Sequence, residues 1–309
     1  MTQTTSPNED SFRIPATTRL GHVHLTVADL DRQLTFYEQV LGFKMHWREG
    51  PEATLGTDAE ILLRLTEEPT ARRVQNSSGM YHFAILYPSR KELARAIARL
   101  FALRYPNAPT DHGISMTTYL DDLEGNNIEL YIRTLDRATF EVVNGQMMVR
   151  YADGRAGSGR DPLDLEALFG ELDEGEPLDP ALPAGTRIGH MHLYVSSLEA
   201  SMAFYHGVLG FEKGPVIPGF LMGEVGLDDQ QPHVIAFNTW KGAGIPPAPA
   251  DALGMRYFTV VLPDEVELHR LVERIGEAGL PAEETPDGIR VFDPSHISLV
   301  LTTQMLPID

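Results

Sequence analysis

Cysteine is absent from the 309 residues of the chain. This absence excludes a disulfide framework, a zinc finger, an iron–sulfur cluster and a thiol nucleophile. Basic side chains are also scarce, with 25 Lys and Arg against 44 Asp and Glu, so the formal net charge is −19. Such a charge opposes binding to nucleic acid phosphates and to anionic lipid surfaces. Because cysteine is absent, any metal ion must be held by His, Asp, Glu or backbone oxygens.

Long apolar runs are missing as well. No window approaches the roughly 18 apolar residues that a membrane helix needs. Residues 1–17 are polar and contain no apolar stretch of signal-peptide length. We therefore expect a flexible leader over residues 1–17, a cytoplasmic location, and neither a membrane nor a nucleic acid as partner.

An internal repeat determines the expected architecture. The segment that starts at Thr18 returns at Thr186, and over residues 18–43 and 186–211 the two copies are identical at 14 of 26 aligned positions. A second repeat, at an offset of 175 residues, relates the segment from Met80 to the segment from Met255. The chain therefore contains four related units.

Each unit has the pattern of a strand, a helix and three further strands. Residues 20–27 alternate as a β-strand does, and apolar residues at helical spacing follow from Leu30 to Leu41. In the next unit, Ser89 with Glu92 is a capping box that predicts the start of a helix. These patterns predict an α+β protein of four βαβββ modules, which form two paired-module domains with cup-shaped mixed sheets.

The stretch between the two copies is rich in Gly, Asp, Glu and Pro and shows no periodicity around residues 150–159, which is typical of exposed linker. A short helix is expected inside it at residues 164–169. The predicted domains are residues 18–135 and 186–305, separated by a linker over 136–185.

Among the 11 histidines, His22 and His82 take the same position on the first strand of two consecutive modules. If modules 1 and 2 curl together about a pseudo-twofold axis, these two strands lie side by side. Glu129, on the last strand of module 2, then completes a set of three potential metal ligands. His24 points to the same face as His22 because side chains alternate along a strand. It is therefore either a nearby group or an alternative ligand.

This arrangement resembles the vicinal oxygen chelate superfamily, which contains glyoxalases, bleomycin resistance proteins and extradiol dioxygenases, and in particular its two-domain members similar to catechol 2,3-dioxygenase. The resemblance covers residues 18–305. Its most specific part is residues 112–129, where His112, Tyr119, Gly125 and Glu129 fit the extradiol signature. Thr118 and Leu123 depart from that signature.

The resemblance implies a divalent metal, iron(II) above all, on His22, His82 and Glu129, with manganese, zinc and nickel as alternatives. It also implies that the protein cleaves a catecholic ring with dioxygen in aromatic degradation, and that His112 and Tyr119 position the substrate and oxygen. Extradiol enzymes commonly carry one more histidine on the strand that corresponds to residues 60–66, where this chain has Arg64. Proton transfer is then left to His24, His46 or His112.

Two other classes of function stay open. An isomerase or hydrolase of the same superfamily would use the same ligands to polarise a carbonyl or enediolate, although no further carboxylate stands out in the sequence. A small-molecule binding protein without activity would need no metal. In the second half of the chain, Tyr257 stands in place of His82 and Ser298 in place of Glu129. We therefore expect no metal there, despite His190 and His192, and we expect a homodimer because exposed sheet edges commonly pair.

Overall fold

The structure is a computed structural model that describes residues 12–179 and 181–308. Most of the leader predicted over residues 1–17 lies outside the described residues. Within its last part, Ile14 is buried, and its backbone N–H donates to the carbonyl of Gly210. No helix in the described part of the chain is long and apolar enough to cross a membrane.

The chain forms four βαβββ modules, as predicted. Module 1 contains Arg19–Val27 (β1), Leu30–Gln39 (α1), Lys44–Glu49 (β2), Glu52–Gly56 (β3) and Ile61–Glu67 (β4). Module 2 contains Gly79–Leu86 (β5), Arg90–Ala102 (α2), Ala108–Asp111 (β6), Ser115–Asp121 (β7) and Asn127–Arg133 (β8). The following segment contains Ala138–Val143 (β9), Gln146–Tyr151 (β10), Ala156–Gly157 (β11), Asp161–Pro162 (β12) and Leu165–Phe169 (α3).

Module 3 contains Arg187–Tyr194 (β13), Leu198–Met202 (α4), Glu212–Ile217 (β14), Met222–Gly226 (β15) and Ile235–Asn238 (β16). Helix α4 continues as a π-helix over Ala203–Val208, and a 3-10 turn covers Pro218–Phe220. Module 4 contains Gly254–Val261 (β17), Glu265–Glu277 (α5), Ala282–Thr285 (β18), Gly288–Phe292 (β19) and Ser298–Thr302 (β20).

The modules pair two by two into two large mixed sheets. The 1/4 sheet, built from modules 1 and 4, has the strand order β18-β19-β20-β17-β1-β4-β3-β2. The 2/3 sheet, built from modules 2 and 3 with one linker strand, has the order β12-β6-β7-β8-β5-β13-β16-β15-β14. A hydrophobic core of buried residues continues through both sheets and their helices.

The predicted fold class is confirmed. The prediction that the first strands of modules 1 and 2 lie side by side is wrong. Strand β1 pairs with β17 and β4, whereas β5 pairs with β13 and β8, so β1 and β5 belong to different sheets. Because all four modules repeat one local pattern, that pattern does not determine which modules share a sheet. The domain boundaries at 18–135 and 186–305 stay a prediction, and both sheets are built across that division.

Helix starts follow the sequence closely. Ser89 and Asp264 each accept a hydrogen bond from the backbone N–H three residues later, which is the N-cap geometry expected of them. The predicted short helix in the linker is present as α3. These local features determine where the helices begin within their modules.

Candidate metal centre

Three buried side chains from the 2/3 sheet meet at one point. Nε2 of His82 lies 3.1 Å from Oε2 of Glu129, and Nε2 of His190 lies 3.0 Å from the same oxygen. The two imidazole nitrogens are 3.2 Å apart. Each side chain is exposed by 4% or less. In the described part of the chain this is the one group of three or more His, Asp or Glu side chains arranged to hold a metal ion.

Strand pairing brings the three side chains together. Strand β5 carries His82 and lies between β8, which carries Glu129, and β13, which carries His190. Glu129 pairs with Ala84 on β5, and His190 pairs with the same residue from the other side. His82 lies two residues away on the same face, since side chains alternate along a strand. The site thus joins module 2 to module 3.

The glycine before His190 has a steric reason. A Cβ atom on Gly189 would lie 2.1 Å from the hydroxyl of Tyr131, so no larger residue fits. The space allows Tyr131 to pack edge-on against the imidazole of His190, with 4.9 Å between ring centroids. The glycine therefore permits the tyrosine to fix the orientation of the ring.

The electrostatics of the group suit metal ligands. Burial alone would raise the pKa of Glu129, but the neighbouring His190 and His82 hold it well below its usual range, so the carboxylate is ionised. Burial lowers the pKa of His190 to about 3, so its imidazole is neutral at physiological pH. Neutral imidazole and ionised carboxylate are the protonation states that bind divalent metals.

The spacing also fits a metal ion. Two ligand atoms about 2.1 Å from one ion and at a right angle to each other lie about 3.0 Å apart. The three separations here are 3.0 to 3.2 Å. The other ring nitrogens, Nδ1 of His82 and of His190, are buried without a hydrogen-bond partner. Because every observed polar contact of these rings converges on one point, the arrangement fits a shared ion.

The structure does not bring His22 or His24 to this group. Both lie on β1 in the 1/4 sheet, where Nε2 of His22 is 3.4 Å from the hydroxyl of Tyr257 and Nε2 of His24 is 2.7 Å from Oγ1 of Thr66. The predicted ligand role of His22 and the predicted site role of His24 both relied on β1 and β5 being neighbours. His190, the repeat counterpart of His22, lies beside His82 and Glu129 instead.

The counterpart of Glu129 in module 4 is also different from the expected Ser298. Asn127 pairs with His82, whereas Leu299 pairs with Phe258, so Ser298 stands opposite Tyr257 and corresponds to Asn127. Counting two residues further along each strand makes Val300 the counterpart of Glu129. The 1/4 sheet therefore presents His22, Tyr257 and Val300 where the 2/3 sheet presents His190, His82 and Glu129.

The group opens into a cavity of about 660 Å³. His112 and Tyr119, both predicted as site residues, line it, and Nε2 of His112 is 2.8 Å from the hydroxyl of Tyr119. Tyr119 pairs with Glu129 on the adjacent strand. Burial, together with Glu129, raises the pKa of Tyr119 well above its usual value, so its hydroxyl stays protonated and can donate a hydrogen bond.

The segment predicted as exposed linker covers part of this cavity. Strands β9, β10 and β11 form a small sheet of their own, and Val149 and Tyr151 in it are buried. The carbonyl of Gly159 contacts Nδ1 of His112. Further lining side chains come from this segment and from module 3; the apolar ones are Phe140, Met147, Ile217, Phe220, Leu221, Met222, Pro232 and Trp240.

His233 and Glu224 are site residues that the sequence analysis did not identify. Nδ1 of His233 lies 2.5 Å from Oε2 of Glu224, and its ring centroid lies 4.4 Å from that of His190. Although burial lowers the pKa of His233, the charge of Glu224 raises it above its ordinary value. His233 precedes the last strand of module 3, which is the place sought for an additional histidine in module 1. The sequence therefore contained this histidine, but in module 3 and not in module 1.

His46, the third candidate for proton transfer, is remote from the cavity lining. It lies on β2 at the edge of the 1/4 sheet, and its Nε2 is 2.6 Å from the carbonyl of Thr57. That contact is local to module 1. Besides His82 and His190, the histidines that line the cavity are His112, His192 and His233. Nε2 of His192 accepts a hydrogen bond from Nδ2 of Asn238 at 2.9 Å, so His112 and His233 are the candidates for proton transfer.

Comparison with known proteins identifies the family of the chain. Residues 19–130 and 187–300 match the model of the Glyoxalase/Bleomycin resistance protein/Dioxygenase superfamily. The chain belongs to this superfamily. A relative within it, the catechol-2,3-dioxygenase of Bacillus subtilis (strain 168), is 38% identical over 290 residues, which are 92% of this chain and 98% of the relative.

Solved structures of the superfamily share the fold. A Bacillus subtilis protein proposed to be a dioxygenase superposes with a TM-score of 0.63 at 13% identity, covering 94% of this chain and 86% of the other. Glyoxalase I from Zea mays superposes with a TM-score of 0.54 at 17% identity, covering 92% of both chains. At these identities the likeness concerns the fold alone, and members with this fold include both dioxygenases and glyoxalases.

Proposed function

We propose that the protein is an extradiol dioxygenase that uses iron(II) to cleave the ring of a catecholic substrate with dioxygen. The observation that carries this proposal is the meeting of two imidazoles and one carboxylate in the lining of a largely apolar cavity. The name of the relative at 38% identity supports the same chemistry. Manganese, zinc and nickel remain alternative metals.

His82, His190 and Glu129 would hold the metal ion as two imidazoles and one carboxylate. Bound iron(II) would supply open positions at which a catecholate and dioxygen can meet. One carboxylate leaves the ion with net positive charge, which favours the deprotonated diol. The apolar side chains around the cavity exclude water and accept the face of an aromatic ring.

His233 is the group that we assign to proton transfer. Its imidazole lies beside His190 at the ligand end of the cavity, and Glu224 holds its Nδ1 side. Glu224 fixes the orientation of the ring and stabilises the imidazolium that forms when Nε2 accepts a proton. The hydroxyl of Tyr119 on β7 lies 2.8 Å from Nε2 of His112 and can donate a hydrogen bond to the substrate. In this assignment His233 accepts a proton from the substrate and Tyr119 donates a hydrogen bond to it.

Dioxygen uptake tests the proposal directly. Protein that is purified without oxygen and loaded with iron(II) should consume one dioxygen per catechol and form a yellow ring-opened product. The same preparation of Glu129→Ala should show no uptake, and Val300→Ala, its matched control, should behave as the unsubstituted protein. Absence of turnover with every catechol of a panel, in protein that holds iron, would contradict the proposal.

Glu224 favours one second candidate, an isomerase or hydrolase of the superfamily. It is a buried carboxylate in the same cavity and supplies the additional acid or base that such a reaction needs. The two candidates are separated by measuring whether turnover requires oxygen and which metal supports it. Activity without oxygen on a carbonyl substrate, with zinc or nickel bound, would replace the dioxygenase by this candidate.

A further inference from the structure

The cavity is larger than the ring it is proposed to bind. A cavity of about 150 Å³ in a protein core is enough for benzene, whereas this one measures about 660 Å³. A catechol ring at the ligand end would therefore leave most of the volume free. The natural substrate must carry a substituent if it is to fill the remaining space.

The charges along the cavity lining are unequal. Its carboxylates, Glu129 and Glu224, each face a histidine, at 3.0 Å and 2.5 Å respectively. Its two arginines, Arg133 and Arg160, form no ion pair with any acidic side chain in residues 12–179 and 181–308. In a chain with a net charge of −19, two cations without acidic partners in one cavity favour an anionic ligand.

Arg160 is the better placed of the two arginines. It comes from the segment that covers the cavity, and its guanidinium lies 4.9 Å from the centroid of the Phe220 ring. Arg160 lines the cavity together with Tyr119 and His112. The adjacent Asp161 is hydrogen bonded to Ser158 and Tyr151.

Arg133 lies further from the ligands. It is four residues beyond Glu129 on β8, which corresponds to about 13 Å along a strand. It also lines a separate shallow depression beside Arg187, whose pKa is lowered by burial and by the charge of Arg133. Arg133 therefore contributes positive potential at one end of the cavity, whereas Arg160 lies against its aromatic wall.

We propose that the substrate is a catechol whose apolar side arm ends in a carboxylate, and that Arg160 binds this carboxylate. The inference rests on the proposed function, since it names the substrate class of the same site. The ring takes the ligand end, the arm packs against Phe140, Met147 and Phe220, and the carboxylate pairs with the guanidinium. Arg is suited to this role because its planar donors match a carboxylate.

The test compares an acid with its neutral ester. Protein loaded with iron(II) is assayed with 3-(3,4-dihydroxyphenyl)propanoate and with the methyl ester of the same compound. We expect kcat/KM for the acid to exceed that for the ester by about fivefold or more, the upper range for a solvent-accessible ion pair. The preference should shrink as salt is added, because the pair is screened.

Three variants locate the interaction. Arg160→Gln should remove the preference for the acid, so that the ratio of kcat/KM for the acid to kcat/KM for the ester falls to about one. Arg155→Gln, an exposed arginine of the same segment that pairs with Asp153, is the matched control and should retain the preference. Equal rates for acid and ester in the unsubstituted protein would overturn the inference. Loss of the preference in Arg133→Gln but not in Arg160→Gln would overturn the assignment to Arg160.

A binding measurement keeps this inference separate from the proposed function. Calorimetric titration without oxygen should show tighter binding of the acid than of the ester, and Arg160→Gln should make the two equal. If no catechol is turned over but the acid still binds through Arg160, the proposed reaction fails and the anionic ligand stands. If catechols are turned over without any preference for the acid in rate or in binding, the inference fails and the reaction stands.

Discussion

The two sheets of this protein are built from the same module, yet they carry different side chains at three equivalent positions. In the 2/3 sheet the position is filled by His190, His82 and Glu129, with ligand atoms 3.0 to 3.2 Å apart. In the 1/4 sheet, Tyr257 donates to Asp287, which also pairs with Arg64, and His22 is at the edge of this network. One cup can hold a cation, whereas the other contains a network of fixed hydrogen bonds and ion pairs.

The difference shows that a histidine motif alone does not define a ligand. Gly-His-x-His occurs at the start of β1 and of β13, and in both places the glycine is required by close packing, against Thr259 for Gly21 and against Tyr131 for Gly189. The motif therefore indicates a tightly packed strand. Whether its histidine binds a metal depends on what the neighbouring strand provides.

Matched substitutions in the two sheets should give the largest effect. His190→Ala removes one of three ligands and should abolish metal binding, whereas His22→Ala, at the corresponding position of the 1/4 sheet, should leave the metal content unchanged. Metal content by elemental analysis and dioxygen uptake measure both variants. Equal loss in the two variants would show that the sheets are not distinguished by their ligands.

The proton-transfer assignment predicts the next largest effect. His233→Gln should lower kcat by about 100-fold to 10,000-fold, the range for loss of a general base, while the metal content stays the same. His206→Gln is a matched control in module 3, because Nδ1 of His206 contacts the carbonyl of Phe211 in its own module and His206 does not line the cavity formed by the described residues. A comparable loss in both variants, or a loss of metal in His233→Gln, would contradict the assignment.

A buried aspartate in module 4 predicts that stability depends on pH. Asp293, which accepts a hydrogen bond from Tyr205, has its pKa raised by burial to about 6, above its value of about 3.9 in an unfolded chain. The folded state therefore keeps this proton between about pH 4 and pH 6, and stability should fall as the pH rises through that window by about 3 kcal/mol at most.

Urea unfolding across that range measures the effect. Asp293→Asn should remove this part of the pH dependence, because the amide carries no charge at either end of the window. The corresponding Asp122→Asn variant, which changes the aspartate bonded by Tyr37, is the control. If the unsubstituted protein and Asp293→Asn change stability in parallel between pH 4 and pH 6, the prediction is wrong.

The hydrogen-bond network of the 1/4 sheet predicts the smallest effect. Tyr257→Phe removes the donor that lies 2.7 Å from Asp287 and should lower the free energy of unfolding by about 1 kcal/mol, with no change in metal content. Denaturant unfolding of metal-free protein measures it. A lower metal content in this variant would indicate that the two cups are coupled.

Much of the fold follows from local patterns in the sequence. The repeat and the helix cap at Ser89 each depend on residues within a single module, and the structure has both. Module 2 contains four of the predicted site residues, namely His82, His112, Tyr119 and Glu129. Their common location could therefore be predicted without knowing which module pairs with module 2.

The partner of module 2 could not be predicted in the same way. Modules 1 and 3 present the same first strand, and either could complete the sheet by the same hydrogen bonds. The choice depends on contacts between residues over 100 positions apart, such as His82 with His190, which no short pattern contains. A usable signal was the histidine before the last strand, because module 3 has His233 there and module 1 has no counterpart.

The ligands of the proposed metal lie on both sides of the segment that joins the two halves of the chain. Neither half alone contains the three, so the ion can be held only after residues 79–133 and residues 187–238 have folded against each other. Metal binding is then linked thermodynamically to long-range assembly, and chelation should weaken the joint between halves more than either half. For this chain, metal occupancy is a measure of whether the two halves have come together.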